Sequence, residues 1–289
     1  YLSFSERQFV YPSHPVFTYL QKNAGLDRFW TYGDGYINAN FATQYRVYSP
    51  DGTDALFPAR LGELFYATET KGRFAPSQRI DARIARATEG DGMTDNSYRL
   101  RLLSLLGVKY VTDWARAQEE KFPQTRFTPV AHFDNWHIYE YKDALPRVFL
   151  TSSYTVETDR QKILDALFVQ EPTGKTLVLE EQPSVQNTDL PIGSAHIETY
   201  TPNSVTVSVA PTNAGLLFLS DTHFPGWTAY VDGKKSIVYR ANYAFRAVTI
   251  PLDATSVEFR YEPDSFRWGI IISLLSIIAG FVWMRRYER

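Results

Sequence analysis

Cysteine is absent from this chain of 289 residues, and methionine occurs only twice. Without thiols there is no disulfide framework, no thiolate-held zinc, no iron–sulfur cluster and no cysteine nucleophile. The compartment stays open, because an exported protein can simply avoid cysteine. An excess of charge is also lacking: 30 Lys plus Arg face 32 Asp plus Glu, for a formal net charge of −2. That excludes a nucleic-acid binder working through bulk basic charge, and no nucleic acid is expected as a partner.

Catalytic signatures are missing as well. There is no G-x-S-x-G, no H-E-x-x-H and no Walker A sequence, and Gly33-Asp34-Gly35 lacks the third glycine of a dinucleotide loop and any clear parallel βαβ surroundings. His132 and His137 are five apart, which on one continuous strand would place them on opposite sides. Glu89, Asp91 and Asp95 lack the alternating oxygen ligands of an EF-hand and read as a solvated acidic loop. No metal site and no cofactor are expected.

What the chain does have is apolar and aromatic surface. Hydrophobic residues make up 44%, aromatics 15% and charged residues 21%. This suffices for two cores and favours strands and amphipathic faces. The longest apolar run closes the chain: from Trp268 to Met284 every residue is apolar, glycine or serine. As a helix it is about 25 Å long, near the lower limit for a bilayer core. Trp268, Trp283 and Tyr287 fall where an interfacial aromatic belt belongs. A buried core helix would keep a polar stripe, and only Ser273 and Ser276 interrupt this one. The flank after the run is net basic, with Arg285 and Arg286, and the flank before it is net acidic. The positive-inside tendency therefore sets the C-terminus in the cytoplasm and the bulk of the chain outside the cell membrane. At the other end, residue 1 is Tyr and the first ten residues carry no signal-peptide pattern, so the chain reads as a processed or truncated piece.

Between the ends the pattern predicts an α+β protein. Residues 1–150 form a mixed α/β extracytoplasmic domain. In it Ser13 caps a short helix that ends near Gly25, Arg28 to Tyr32 is a strand, and Asn96 or Ser97 caps a leucine-rich helix that stops at Gly107 and leads into a buried strand from Val108. Residues 69–95 have a weak apolar pattern and read as an irregular excursion. Residues 151–194 are a helical and polar connection. Residues 195–265 alternate apolar and polar positions in seven short runs, as in an antiparallel β-sandwich, with Asp232-Gly233 as a hairpin turn. Residues 266–289 are the transmembrane helix with a short basic tail.

Three polar and aromatic groupings are candidate contacts. Tyr32, Asp34, Tyr36, Asn38 and Asn40 alternate rings with amides and a carboxylate, as a sugar-binding surface does. Trp227 follows the turn His223-Phe224-Pro225-Gly226. Arg240, Asn242, Tyr243 and Arg246 form a basic, amide-bearing edge suited to lipid phosphates. Each has a plainer reading, as a turn or as solvated strand ends.

Several segments resemble the bacterial YfhO-like membrane proteins. They are Leu102-Leu103-Ser104-Leu105-Leu106-Gly107-Val108-Lys109-Tyr110-Val111, Ala144 to Phe149, Phe224-Pro225-Gly226-Trp227 through Lys234, Arg240 to Val248, and Phe259 to Pro263 before the last span. The set runs from about residue 100 to the end. The resemblance implies a polytopic GT-C-type glycosyltransferase that moves sugar from a polyprenyl-phosphate donor to a cell-envelope acceptor. This chain lacks the amino-terminal membrane helices where such enzymes carry their catalytic carboxylate, so no catalytic residue carries over. The expectation is a non-catalytic accessory region. Its partners would be the lipid bilayer, an upstream transmembrane catalytic region, and a glycan or polyprenyl-phosphate sugar. The rival is a membrane-anchored structural or interaction module with no link to sugar transfer.

Overall fold

The computed structural model describes residues 11–33, 37, 40–54, 56–76, 81–86, 92–114, 121–188, 190 and 192–287. Tyr36, Glu89 and Asp91 lie outside that set, as do Asp34 and Asn38. The described chain is mixed α/β and rich in sheet, with one long apolar helix at its C-terminal end.

The first lobe is a four-stranded sheet in the order β1 (Arg28–Tyr32), β4 (Val108–Trp114), β6 (Trp136–Tyr141), β5 (Phe127–Phe133). Helix α1 (Pro15–Asn23) covers one face through Val16, Phe17 and Leu20, which meet Phe29, Tyr110 and Ile138. Its cap is His14 and not Ser13: the His14 Nδ1 accepts from the Val16 amide at 3.3 Å. Pro15 then fills the first helical position, where no amide hydrogen is needed. Helix α4 (Ser97–Leu105) covers the other face. Asn96 caps it, accepting from the Arg99 amide at 2.9 Å, and Gly107 stops it at φ +65°. From Arg99 to Leu105 this helix is buried on every side, Arg99 and Arg101 included. Burial of two guanidiniums is tolerable because carbonyls receive them: Arg101 donates to Pro172 at 2.9 Å and Gly174 at 2.8 Å, and Arg99 to Gly92 and Met93 at 3.0 Å.

Two expectations for this lobe need correcting. β1 and β4 pair in parallel, Trp30 opposite Val111. The crossover between them holds the short helices α2 (Phe41–Gln44) and α3 (Ala59–Tyr66), the two-stranded pair β2 (Gly52–Thr53) and β3 (Asp81–Ala82), and α4. So long and irregular a crossover hides the βαβ relation from a local pattern. His132 and His137 are not on one strand but face each other across the β5–β6 hairpin, ring centroids 4.7 Å apart. Asp134, at φ +51°, makes the turn that brings them to one side.

The second lobe stacks two sheets. One has the order β10 (Gly193–Tyr200), β11 (Ser204–Pro211), β17 (Ser256–Tyr261), β13 (Trp227–Val231), β14 (Lys234–Ser236). The other has the order β7 (Val148–Thr151), β12 (Gly215–Thr222), β16 (Phe245–Ile250), β15 (Tyr239–Ala241), β9 (Leu177–Leu179), β8 (Tyr154–Val156). Val205, Val207, Val257 and Phe259 of the first meet Leu150, Leu217, Leu219 and Val248 of the second in one core. Asp232 and Gly233, at φ +46° and +77°, form the two-residue turn between β13 and β14. After Ser236 the chain leaves one sheet and enters the other at Tyr239, turning a corner of the sandwich.

β12 does not alternate. Its stretch from Gly215 to Asp221 is buried on both faces, because Leu217 and Leu219 enter the sandwich core while Leu216 and Phe218 enter the core shared with the first lobe. Helix α5 (Arg160–Phe168), capped by Asp159, lays Ile163, Leu164 and Leu167 into that shared core. Helix α6 (Asp264–Tyr287) has a mean hydropathy of 1.8 over its most apolar window and no buried residue. Its apolar surface is not covered by the rest of the chain, so it is no core helix; it has the length and composition to cross a membrane.

Candidate functional site: a cationic cavity where the two lobes meet

Arg28 begins β1, and Asp221 lies near the end of the apolar stretch of β12, one on each lobe. The Arg28 guanidinium donates to the Asp221 Oδ1 at 2.8 Å, to the Ser220 hydroxyl at 2.8 Å and to the Leu106 carbonyl. Arg147, just before β7, reaches the same Oδ1 at 2.8 Å and the Leu26 carbonyl at 2.9 Å. The Tyr200 hydroxyl accepts from Arg147 at 2.6 Å and donates to the Asp221 Oδ2 at 3.1 Å. Arg147 also lies against the edge-to-face pair of Tyr48 and Tyr200, at 5.0 and 4.3 Å from their centroids.

Burial would raise the Asp221 carboxyl, but Arg147 and Arg28 outweigh it and hold that carboxyl down at about 2. Arg28 is lowered to about 10 by burial, with the like charge of Arg147 adding to the effect. Three arginines, counting Arg246, surround one carboxylate.

Arg246, on β16, is 4% exposed, and its guanidinium lies 3.8 Å from the centroid of the Trp227 ring. Its Nε donates to the Thr222 carbonyl at 3.0 Å, while Nη1 is buried with no hydrogen-bond partner among the described residues. Burial lowers its pKa to about 10. A cavity of about 480 Å³ opens here, lined by Arg28, Asp221 and Arg246, with Tyr200, Trp227 and Tyr261 around it. Phe65 and Leu61 of α3 close the side toward the first lobe. A second cavity, of about 510 Å³, shares Trp227 and Tyr261 and extends to Glu262 and Arg267 at the start of α6. Among the described residues no group of three or more His, Asp or Glu is disposed to hold a metal ion.

The residues singled out in the sequence are dispersed. Trp227 and Arg246, picked from separate groupings, are stacked together at the cavity. Tyr32 is 1% exposed, its ring packed on Phe122 and lying under the Arg99 guanidinium. Asn40 clips the Thr53 backbone, donating to its carbonyl at 2.9 Å and accepting from its amide at 3.2 Å. Asp34 and Asn38 lie outside the described residues. Arg240 pairs with Glu180 at 3.0 Å. Asn242, fully buried at φ +48°, accepts from the Val178 amide at 2.9 Å and joins β15 to β9. Trp268 and Trp283 project from α6, 64% and 60% exposed, and Arg285 and Arg286 occupy its last turn.

Sequence reasoning missed Arg28, Asp221 and Tyr200 as functional candidates. One signal was available: Ser220-Asp221 closes the run Leu216-Leu217-Phe218-Leu219, and a carboxylate at the end of a strand buried on both faces needs a cationic partner.

No curated protein and no solved structure matches the chain. The model of the family described as bacterial membrane protein YfhO matches residues 185–273. That span begins before β10, takes in the cavity wall from Tyr200 to Tyr261, and ends within α6. Over these residues the chain is similar to the YfhO family of bacterial membrane proteins, and its apolar C-terminal helix has the length and composition to cross a membrane.

Proposed function

We propose that this chain is the carboxy-terminal extracytoplasmic accessory region of a polytopic membrane glycosyltransferase. The parent enzyme would pass sugar from a polyprenyl-phosphate donor to a cell-envelope acceptor, and this region would hold the acceptor without catalysing transfer. One observation carries the reading: the YfhO match runs through the cavity wall and into the apolar helix, so the recognised segment joins a binding-sized hollow to a membrane anchor. A glycan suits such a hollow, because Trp227 and Tyr261 offer ring faces and Asn203 and Thr201 offer groups for hydroxyls. The bulk of the chain would face the envelope and the basic tail the cytoplasm.

The test is sugar transfer by membranes containing the complete protein, supplied with a labelled polyprenyl-phosphate sugar. Trp227→Ala should reduce labelled acceptor about tenfold, the scale of one lost stacking contact, with the amount of protein in the membrane unchanged. Absence of transfer in the unsubstituted protein would overturn the transferase reading and leave the membrane-anchored interaction module.

A further inference from the structure

The junction cavity carries a charge imbalance that its own residues do not settle. Asp221 is its acidic wall residue, and both carboxylate oxygens are taken, Oδ1 by Arg28 and Arg147 and Oδ2 by Tyr200. Arg246 forms no ion pair among the described residues, and only its Nε finds an acceptor. A guanidinium has five N–H donors in a planar fork, and the two on the buried Nη1 are unmet among the described residues. The Trp227 face offsets part of the cost of burying that charge but accepts no in-plane hydrogen bond. For a buried cation with unmet donors beside a cavity of about 480 Å³ the strongest chemical complement is an oxyanion, which matches both the donors and the charge.

We infer that Arg246 is the recognition element of an oxyanion subsite in the junction cavity. The ligand carries a phosphate or carboxylate that accepts from the Nη atoms of Arg246, while Trp227 backs the guanidinium and Tyr261 borders the mouth. The inference rests on reading the cavity as a binding site and names the class of group it takes. Glu262 and Pro263 alone separate Tyr261 from the start of α6, so the mouth lies beside the anchor. The oxyanion can therefore come from a lipid headgroup or from a free ligand.

The experiment uses the intact chain in detergent micelles, heated at matched ionic strength with sodium phosphate or sodium chloride. Phosphate should raise Tm by about 2–4 °C, and equal Tm values would overturn the subsite. Titration with inorganic phosphate should weaken about tenfold for Arg246→Lys, which keeps the charge and loses the fork. Arg246 is buried and its variant can fail to fold. Asn203→Asp gives a second arm, because Asn203 is exposed at the cavity and its replacement puts a repelling charge there. It should weaken phosphate several-fold, and unchanged affinity in a folded Asn203→Asp protein would also count against the subsite.

Glucose and glucose 1-phosphate separate this inference from the reading beneath it. Preference for the phosphate ester supports both. Equal binding leaves the cavity as a sugar site and overturns the oxyanion; binding of neither overturns both. In nanodiscs, loss of free-phosphate affinity on replacing phosphatidylcholine by phosphatidylglycerol assigns the site to a headgroup. Unchanged affinity assigns it to a free ligand, and either result supports the subsite.

Discussion

Arg28 and Asp221 stand 193 residues apart in sequence and 2.8 Å apart in space. Their contact joins the first strand of the α/β lobe to β12, the second strand of the six-stranded sheet, in the buried wall of the cavity. Removing the carboxylate strands two buried guanidiniums. Asp221→Asn should destabilise the chain by about 3–5 kcal/mol, read as a lowered denaturation midpoint in micelles. A loss below about 1 kcal/mol would mean that the lobes are not held by this cluster.

The pH dependence of stability has two opposed parts. Asp221, held at about 2, lies below its value in the unfolded chain, so its contribution is fully present above about pH 4 and is lost as pH falls toward 2. Asp51 is raised to about 6, mainly by burial. The folded chain keeps that proton longer than the unfolded chain, so its contribution is greatest below about pH 4 and declines as pH rises through 6. Asp51→Asn should abolish the decline between pH 4 and 6, and a thermal scan at half-unit steps checks it.

Deleting residues 264–289 should leave a chain that stays folded and monodisperse without detergent, its Tm within about 2 °C of the intact chain in micelles. The reason is that α6 contributes no buried residue. A truncated chain that unfolds would show that the helix packs against the lobes.

Phe218 points from β12 into the core shared by the lobes, and Leu217 points into the sandwich. One strand thus serves both cores, so Phe218→Ala should cost about 3–5 kcal/mol and still give one calorimetric transition. Two separated transitions would mean that the lobes fold independently.

Much of the sandwich was legible because one-sided burial writes itself as alternation. The strands Ser204–Pro211 and Ser256–Tyr261 show the alternating burial that such runs imply, and Asp232-Gly233 turned as its two residues require. Asn96 or Ser97 as a cap, the leucines that follow and Gly107 as a stop marked the helix, and Asn96 is the cap. Other features left no local trace. The parallel pairing of β1 with β4 spans an irregular crossover, and β7, β8 and β9 join a sheet whose other strands lie far downstream. Within 69–95, an excursion in the sequence, Ile84 and Met93 are fully buried. The cavity was hidden for the same reason: Arg28, Asp221 and Arg246 lie far apart in sequence, and only the meeting of the lobes makes them one group. Arg246 and Trp227 had drawn notice separately, for lipid and for sugar.

The joint between the sandwich and its anchor is short and pinned. The Glu262 amide donates to the Gly226 carbonyl at 2.7 Å, and the Tyr230 hydroxyl to the Glu262 carboxylate at 2.9 Å. Both bonds fall on Glu262, one on its backbone and one on its side chain. Three residue steps, at most about 10 Å of extended chain, separate Tyr261 from the first residue of α6. If α6 is embedded and the cavity binds as proposed, this short leash sets how far from the bilayer a recognised group can be met.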